Sequence, residues 1–185
     1  LRARLFPGQR SFADVFTRLP PRPAGVLVLP RFAGSGTPHL DAQSKGLLLG
    51  LTLQTTVDDI LRGVVDSVNY EMRLNLDVWR RNGITFDGLR VYGKGASCDA
   101  ILQVKADVLE LEVQRLGISE TGCLGAALLA ARGADREFPV AEVLDRIVTV
   151  ERRFAPRHEW ADVHAQAYRL YQQLYPQFHG LAHQL

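Results

Sequence analysis

Cysteine is nearly absent: Cys98 and Cys123 are the only two in 185 residues. That excludes a multiply bridged secreted framework, and their spacing matches no zinc-ligand pattern. They read as reduced thiols of an intracellular protein, with one bridge between them as the alternative. Long hydrophobic runs are absent too. The longest, Gly46 to Leu53, falls far short of the roughly 20 apolar residues that a membrane-spanning helix needs. No signal-type start is visible, so the expected location is the cytoplasm, with no membrane as partner. Neither sign of charge dominates, since 22 Lys and Arg stand against 20 Asp and Glu for a net charge of +2. So even a balance offers no basic face for nucleic acid and no acidic solvating tail. Methionine occurs once, at Met72, yet the chain starts at Leu1. The expectation is a processed amino terminus or the carboxyl-terminal piece of something longer.

What is present suits one soluble domain: 185 residues with 46% hydrophobic content are enough for a real core. There are no internal repeats and no low-complexity tract. Leu1 to Arg22 mixes charge with Pro7, Gly8, Pro20 and Pro21, and offers a short amphipathic patch at Phe12, Val15 and Phe16. Residues 1–24 therefore read as a connector and residues 25–185 as the folded domain. Gly25 to Leu29 (GVLVL) is a buried-type strand stopped by Pro30, and RFAGSGTPHLD after it is loop. Gly46 to Thr52 (GLLLGLT) reads as a second apolar strand, with a central glycine that suggests a bulge or a close backbone approach. Thr55 or Thr56 then caps a long helix from Val57 to Arg81, with Asp58 and Asp59 in its first turn and Gly83 beyond its end.

The richest stretch is LRVYGKGASCDAILQVKADVLELEV, Leu89 to Val113. Leu89, Val91 and Tyr92 predict a strand, Gly93 and Gly95 a turn, and Ile101, Leu102, Val104 and Val108 a helix that Ser97 or Asp99 could cap. A glycine corner between a strand and a helix whose free N–H groups point outward is a recurrent seat for nucleotides and phosphates. It is also a common tight connection with no ligand, and the motif alone leaves both readings open.

Beyond it, ISETGCLGAALLAARG predicts a helix with almost no bulk on one side, built for close packing, with Gly122 and Gly125 in its first turn or at a backbone contact. A helix from Val140 to Arg146, an extended piece from Ile147 to Phe154 and a terminal amphipathic helix holding Trp160, Tyr168, Tyr171 and Leu174 complete the chain. That aromatic stripe reads as core rather than as a base-stacking surface, because no basic patch accompanies it. His179 and His183 are four apart, but Pro176 and Gly180 are expected to break the helix and no third ligand is evident, so no metal is expected. The pattern of elements is α/β with βαβ connections, a mixed sheet flanked by helices.

Several passages in order resemble the carboxyl-terminal domain of the FGGY family of carbohydrate kinases, the xylulokinase and glycerol kinase type. These are LPRFAGSGTPHLD, KGLLLGLT, the Arg62 and Asp66 pair, the run Gly93, Gly95, Gln103, Ala106 and Asp107, and the run Glu120, Leu124, Gly125, Ala126 and Ala127. The resemblance runs from Gly25 to the end. It implies a ribonuclease H-like fold of the actin and hexokinase type and ATP-dependent phosphorylation of a sugar or polyol hydroxyl, with nucleotide held between two domains. This chain would form the adenosine wall through Gly93, Lys94, Gly95, Ser97 and Cys98. An N-terminal kinase domain would hold most of the Mg²⁺ and the catalytic base, so no catalytic residue is assigned here. Asp66, Asp99 and Asp107 read instead as helix-surface or capping residues. Exposed apolar surface on an isolated domain leaves self-association as a homodimer open. Three departures from the family stand out: Lys94 where a glycine is usual, Cys98 where Asn or Ser is frequent, and Gly36 where many relatives have Arg. They keep a second expectation in view, a regulatory or scaffold module of the same fold with a degenerate nucleotide site.

Overall fold

The computed structural model describes residues 16, 17 and 19–185; most of the expected connector, residues 1–15 and 18, lies outside them. Strands β1 (Leu27–Leu29) and β2 (Leu47–Leu49) form an antiparallel pair in which Val28 faces Leu48. Helix α1 (Val57–Arg81) follows, then β3 (Leu89–Val91), α2 (Asp99–Leu109) and β4 (Val113–Leu116). Helices α3 (Thr121–Ala134) and α4 (Val140–Ile147), strand β5 (Val150–Phe154) and helix α5 (Ala161–Ala182) complete the order. β3 and β4 run parallel with α2 as their crossover, and β5 pairs with β4 antiparallel. The three-stranded sheet is thus mixed, as expected.

The two sheets share no strand pairing among the described residues. α1 takes the place of a further strand beside β1. Its Gly63 lies so close that an added Cβ would fall 2.6 Å from the Val26 carbonyl oxygen. One turn on, Ser67 Oγ accepts the Val28 N–H at 3.1 Å, and Asp66 Oδ2 accepts that of Ala24 at 3.0 Å. Backbone donors that a sheet would satisfy are taken up by helix side chains.

α1 owes its start to Thr56, whose hydroxyl accepts the Asp59 N–H at 3.2 Å while Asp59 accepts the Thr56 N–H at 3.0 Å. This reciprocal cap satisfies two donors that the first turn leaves free. The main core lies where α1, α2 and α5 meet β1, with Leu29, Val65, Tyr70, Val104, Val108, Tyr171 and Leu174 buried together. A smaller cluster of Leu102, Ala106, Val113 and Phe154 seats α2 on the mixed sheet.

Three expectations need correction. The second apolar strand is only Leu47–Leu49, and Leu48 and Leu49 are exposed. Gly50 ends it with φ +90°, and its backbone comes so near β1 that an added Cβ would stand 2.8 Å from the Gly25 oxygen. The close approach expected of this glycine is therefore present, but the strand is short. α3 is not closely packed, because Leu128 is its one buried residue and Gly122, Gly125 and Gly133 face open space among the described residues. Finally, Pro176 and Gly180 do not break the terminal helix, which runs through both to Ala182. Proline removes one N–H and glycine costs about 1 kcal/mol, but burial of Tyr168, Tyr171 and Leu174 on the same helix supplies roughly 1.5–3 kcal/mol for each side chain.

The aromatic stripe is core, as expected: Tyr70 rings lie 5.9 and 5.4 Å from those of Tyr168 and Tyr171. His183 pairs with Asp41 at 2.8 Å, and no cluster of three or more His, Cys, Asp or Glu residues able to hold a metal occurs among the described residues. Cys98 and Cys123 are both free. No helix among the described residues is long and apolar enough to cross a membrane.

Candidate functional site

Two residues past the end of β3 stands Gly93, whose φ of 81° and ψ of −174° lie in a region open in practice only to glycine. A single 3₁₀ turn, Lys94–Ala96, follows, closed by the Ala96 N–H on the Gly93 oxygen at 3.0 Å. Lys94 has no positive φ, since Leu40 and Glu110 are the described non-glycine residues that do. The cation in the usual glycine position therefore sits on unstrained backbone with its side chain exposed. Gly95 is also free of positive φ, and among the described residues nothing lies within 4 Å of where its Cβ would be.

Neither Ser97 nor Asp99 caps α2. The Ser97 hydroxyl turns back to donate to the Lys94 oxygen at 2.8 Å, Cys98 takes the cap position without a side-chain bond, and Asp99 is already the first helical residue. The Asp99 carboxylate is drawn instead to Arg115, at 2.6 Å, and to Arg152.

The turn opens on a cleft of about 380 Å³ at the carboxyl ends of the two parallel strands. Gly93, Ala96 and Ser97 form one side, Arg115 to Ser119 the other, and Glu151 of β5 closes it. Such a strand-end crevice is where open α/β sheets receive ligands. Of the five expected site residues, Gly93 and Ser97 line the cleft, while Lys94 and Gly95 make the turn behind them. Cys98 is half-buried and packs against the main core.

The sequence reading missed Arg115 and Glu151. Arg115 Nη2 donates to Glu151 at 3.3 Å, and its Nε is buried without a hydrogen-bond partner among the described residues. Its position at the end of a strand parallel to β3 was the available signal, but the pairing with β5 arises from residues 36 positions away.

The three tempting carboxylates are all held by arginine. Asp66 is buried against Arg62 Nε at 2.8 Å, and burial pushes its carboxyl up against the pull of that guanidinium. Asp107 accepts from the Arg157 backbone N–H at 2.8 Å, from Arg157 Nε at 3.0 Å and Nη2 at 2.7 Å, and from Gln103 at 2.9 Å. Both are buried, not the helix-surface or capping residues expected: Asp66 lies on the core side of α1 with Arg62 one turn earlier, and Asp107 meets Arg157 from 50 residues on. No free general base remains among the three.

The model of the FGGY family of carbohydrate kinases, C-terminal domain, matches residues 8–134. The chain belongs to this family. It is 32% identical to the xylulose kinase of Staphylococcus epidermidis over 153 residues, 83% of this chain and 31% of that protein. It is 36% identical to the glycerol kinase of Variovorax paradoxus over 141 residues, 74% of this chain and 28% of that protein. This FGGY chain thus spans about a third of the length of these relatives. Its fold is that of solved FGGY kinases. The ligand-bound xylulose kinase from Lactobacillus acidophilus superposes with a TM-score of 0.81 at 20% identity, over 96% of this chain and 36% of that one. The Plasmodium falciparum glycerol kinase with ADP does so with a TM-score of 0.77 at 18% identity, over 94% and 35%.

Proposed function

We propose that this chain is the adenosine-binding half of an ATP-dependent sugar or polyol kinase, a ribonuclease H-like domain of the actin and hexokinase type acting in the cytoplasm. The observation that carries this reading is the cleft at the glycine turn, where Gly93 and the 3₁₀ turn after it face Arg115. A cleft of about 380 Å³ suits one nucleoside rather than a whole nucleotide and sugar together. The Arg115 and Ser97 side chains at the cleft wall are polar groups for such a ligand. Gly93, Lys94, Gly95 and Ser97 would hold the nucleotide chiefly through backbone, with Cys98 behind them.

Phosphoryl transfer needs base, metal and both cleft walls held together. All three candidate carboxylates here are engaged by arginine, so the base and most of the Mg²⁺ coordination belong to an N-terminal kinase domain, and the fragment alone is inactive. The second reading, a regulatory or scaffold module that self-associates or binds a partner, draws on Lys94, whose exposed cation replaces a small residue at the turn.

Titration of the chain with ATP, followed by amide NMR, separates the two. Shifts confined to residues 93–98 and 115–119 are expected. Unmoved amides there at saturating nucleotide would sink the kinase reading, and binding gained only after Lys94→Gly would favour the regulatory module.

A further inference from the structure

β1 has α1 on one side and β2 on the other, whereas β2 has a neighbouring strand on one side only among the described residues. The helix contact fixes which backbone groups that leaves bare. The N–H groups of Ala24 and Val28 point to Asp66 and Ser67 of α1. In an antiparallel pair, residues directly opposite each other exchange either both backbone bonds or neither. Val28 stands opposite Leu48 and gives its N–H to α1, so this pair exchanges none, and the N–H and C=O of Leu48 point away from β1. Neither takes a backbone partner among the described residues.

A bare edge recruits further strands, and proteins ordinarily blunt it with a charge, a proline or a covering segment. Nothing in β2 does so. From Gly46 to Val57 there is no charged residue and no proline. Leu48 and Leu49 stand 43% and 42% exposed, and Leu51 and Leu53 are more exposed still. The edge is complementary to itself. A twofold axis at Leu48 runs a second β2 antiparallel to the first, with each Leu48 N–H donating to the C=O of the other. No like charges meet, because Lys45, three residues before Leu48, falls opposite Leu51 of the second copy and not opposite its own counterpart.

We propose that two copies of this chain pair through β2, antiparallel about a twofold axis at Leu48, so that the two hairpins join into one four-stranded sheet. The added strand satisfies the outward backbone groups and shields the leucines beside them. The contact is small, and the dimer dissociates at about 10–100 µM. It holds whether or not the glycine cleft takes a nucleotide.

Sedimentation equilibrium of the chain between about 1 and 300 µM tests the association, and hydrogen exchange of the Leu48 amide reports on the edge itself. A dimer is expected, with protection of Leu48 that rises with protein concentration. A monomer throughout would overturn the proposal. Protection independent of concentration would do the same, by showing that the chain's own residues cover the edge. Leu48→Lys sets two ammonium groups side by side on the axis, at a side chain exposed enough to spare the fold, and is expected to weaken the dimer about tenfold or more. Leu129→Lys replaces a leucine of α3 that is 76% exposed and is expected to leave association unchanged. Equal weakening by the two variants, or none by Leu48→Lys, would refute pairing through β2.

Discussion

Three neighbouring positions in the glycine turn should respond to substitution in opposite ways, and the order is the reverse of what family pattern suggests. Relatives usually have glycine where Lys94 stands, so Lys94→Gly looks like a repair. The backbone says otherwise. Lys94 opens a 3₁₀ turn without positive φ, so glycine there relieves no strain and only widens the unfolded ensemble, a loss of about 0.5–1 kcal/mol. Gly93→Ala should cost more. An added Cβ meets nothing nearer than the Ser119 oxygen at 3.9 Å, an ordinary contact, so the penalty is torsional. With φ 81° and ψ −174° it should reach about 1–3 kcal/mol. Gly95→Ala meets neither strain nor a neighbour and should be neutral or stabilising by up to about 1 kcal/mol.

Urea unfolding of the three variants beside the parent chain reads these differences directly. For a domain of this size each 1 kcal/mol corresponds to roughly 2–4 °C in melting temperature, so the full spread is well resolved. The diagnostic is the order, with Gly95→Ala most stable, then Lys94→Gly, then Gly93→Ala. A stabilised Lys94→Gly would mean that Lys94 is the strained residue, and a neutral Gly93→Ala that the strand ends elsewhere. Either result would remove the geometric basis of the cleft.

Two further outcomes follow from single residues. Glu110 caps α2 in the left-handed region with φ 54°, and its ion pair to Arg73 at 2.9 Å is half exposed; Glu110→Gly should therefore gain about 0.5–1 kcal/mol, and a lowered urea midpoint would contradict this. His164 is fully buried, its Nδ1 bonded to the Tyr70 hydroxyl at 2.9 Å, and burial pushes its pKa down to about 4, with nearby Arg62 adding to the shift. The unfolded chain then binds the extra proton first, so this histidine's contribution is complete above about pH 6.5 and is lost as pH falls toward 4, by about 3 kcal/mol in all. His164→Gln should flatten the stability profile in that window, and a parallel profile would show that the imidazole is not the source.

The long helix was legible because everything that makes it is local: the Thr56 and Asp59 cap, the apolar spacing and Gly83 lie within its own segment. The same holds for the Gly93 corner. What stayed hidden depends on partners far along the chain. Nothing near Ser67 reveals that its hydroxyl replaces a strand at Val28, 39 residues earlier, or that Tyr70 reaches His164, 94 residues later. Local signals also misled where packing overrode them, as at Pro176 and Gly180, which α5 absorbs because its buried tyrosines hold it in place.

The carboxylates show the same division with a functional consequence. Asp66 and Asp107 belong to helical motifs that suggest chemistry, yet four donor groups converge on Asp107 alone. A carboxylate so fully occupied orders structure and cannot take a proton from a substrate without first giving up those bonds. Among the described residues, seven buried side-chain nitrogens have no hydrogen-bond partner, and five of them belong to Arg31, Arg62, Arg73 and Arg115, the last beside the glycine cleft. These five are cationic donors. Ligand chemistry on this chain should therefore be sought in what arginine can receive, anionic oxygen above all, rather than in proton transfer by its acids.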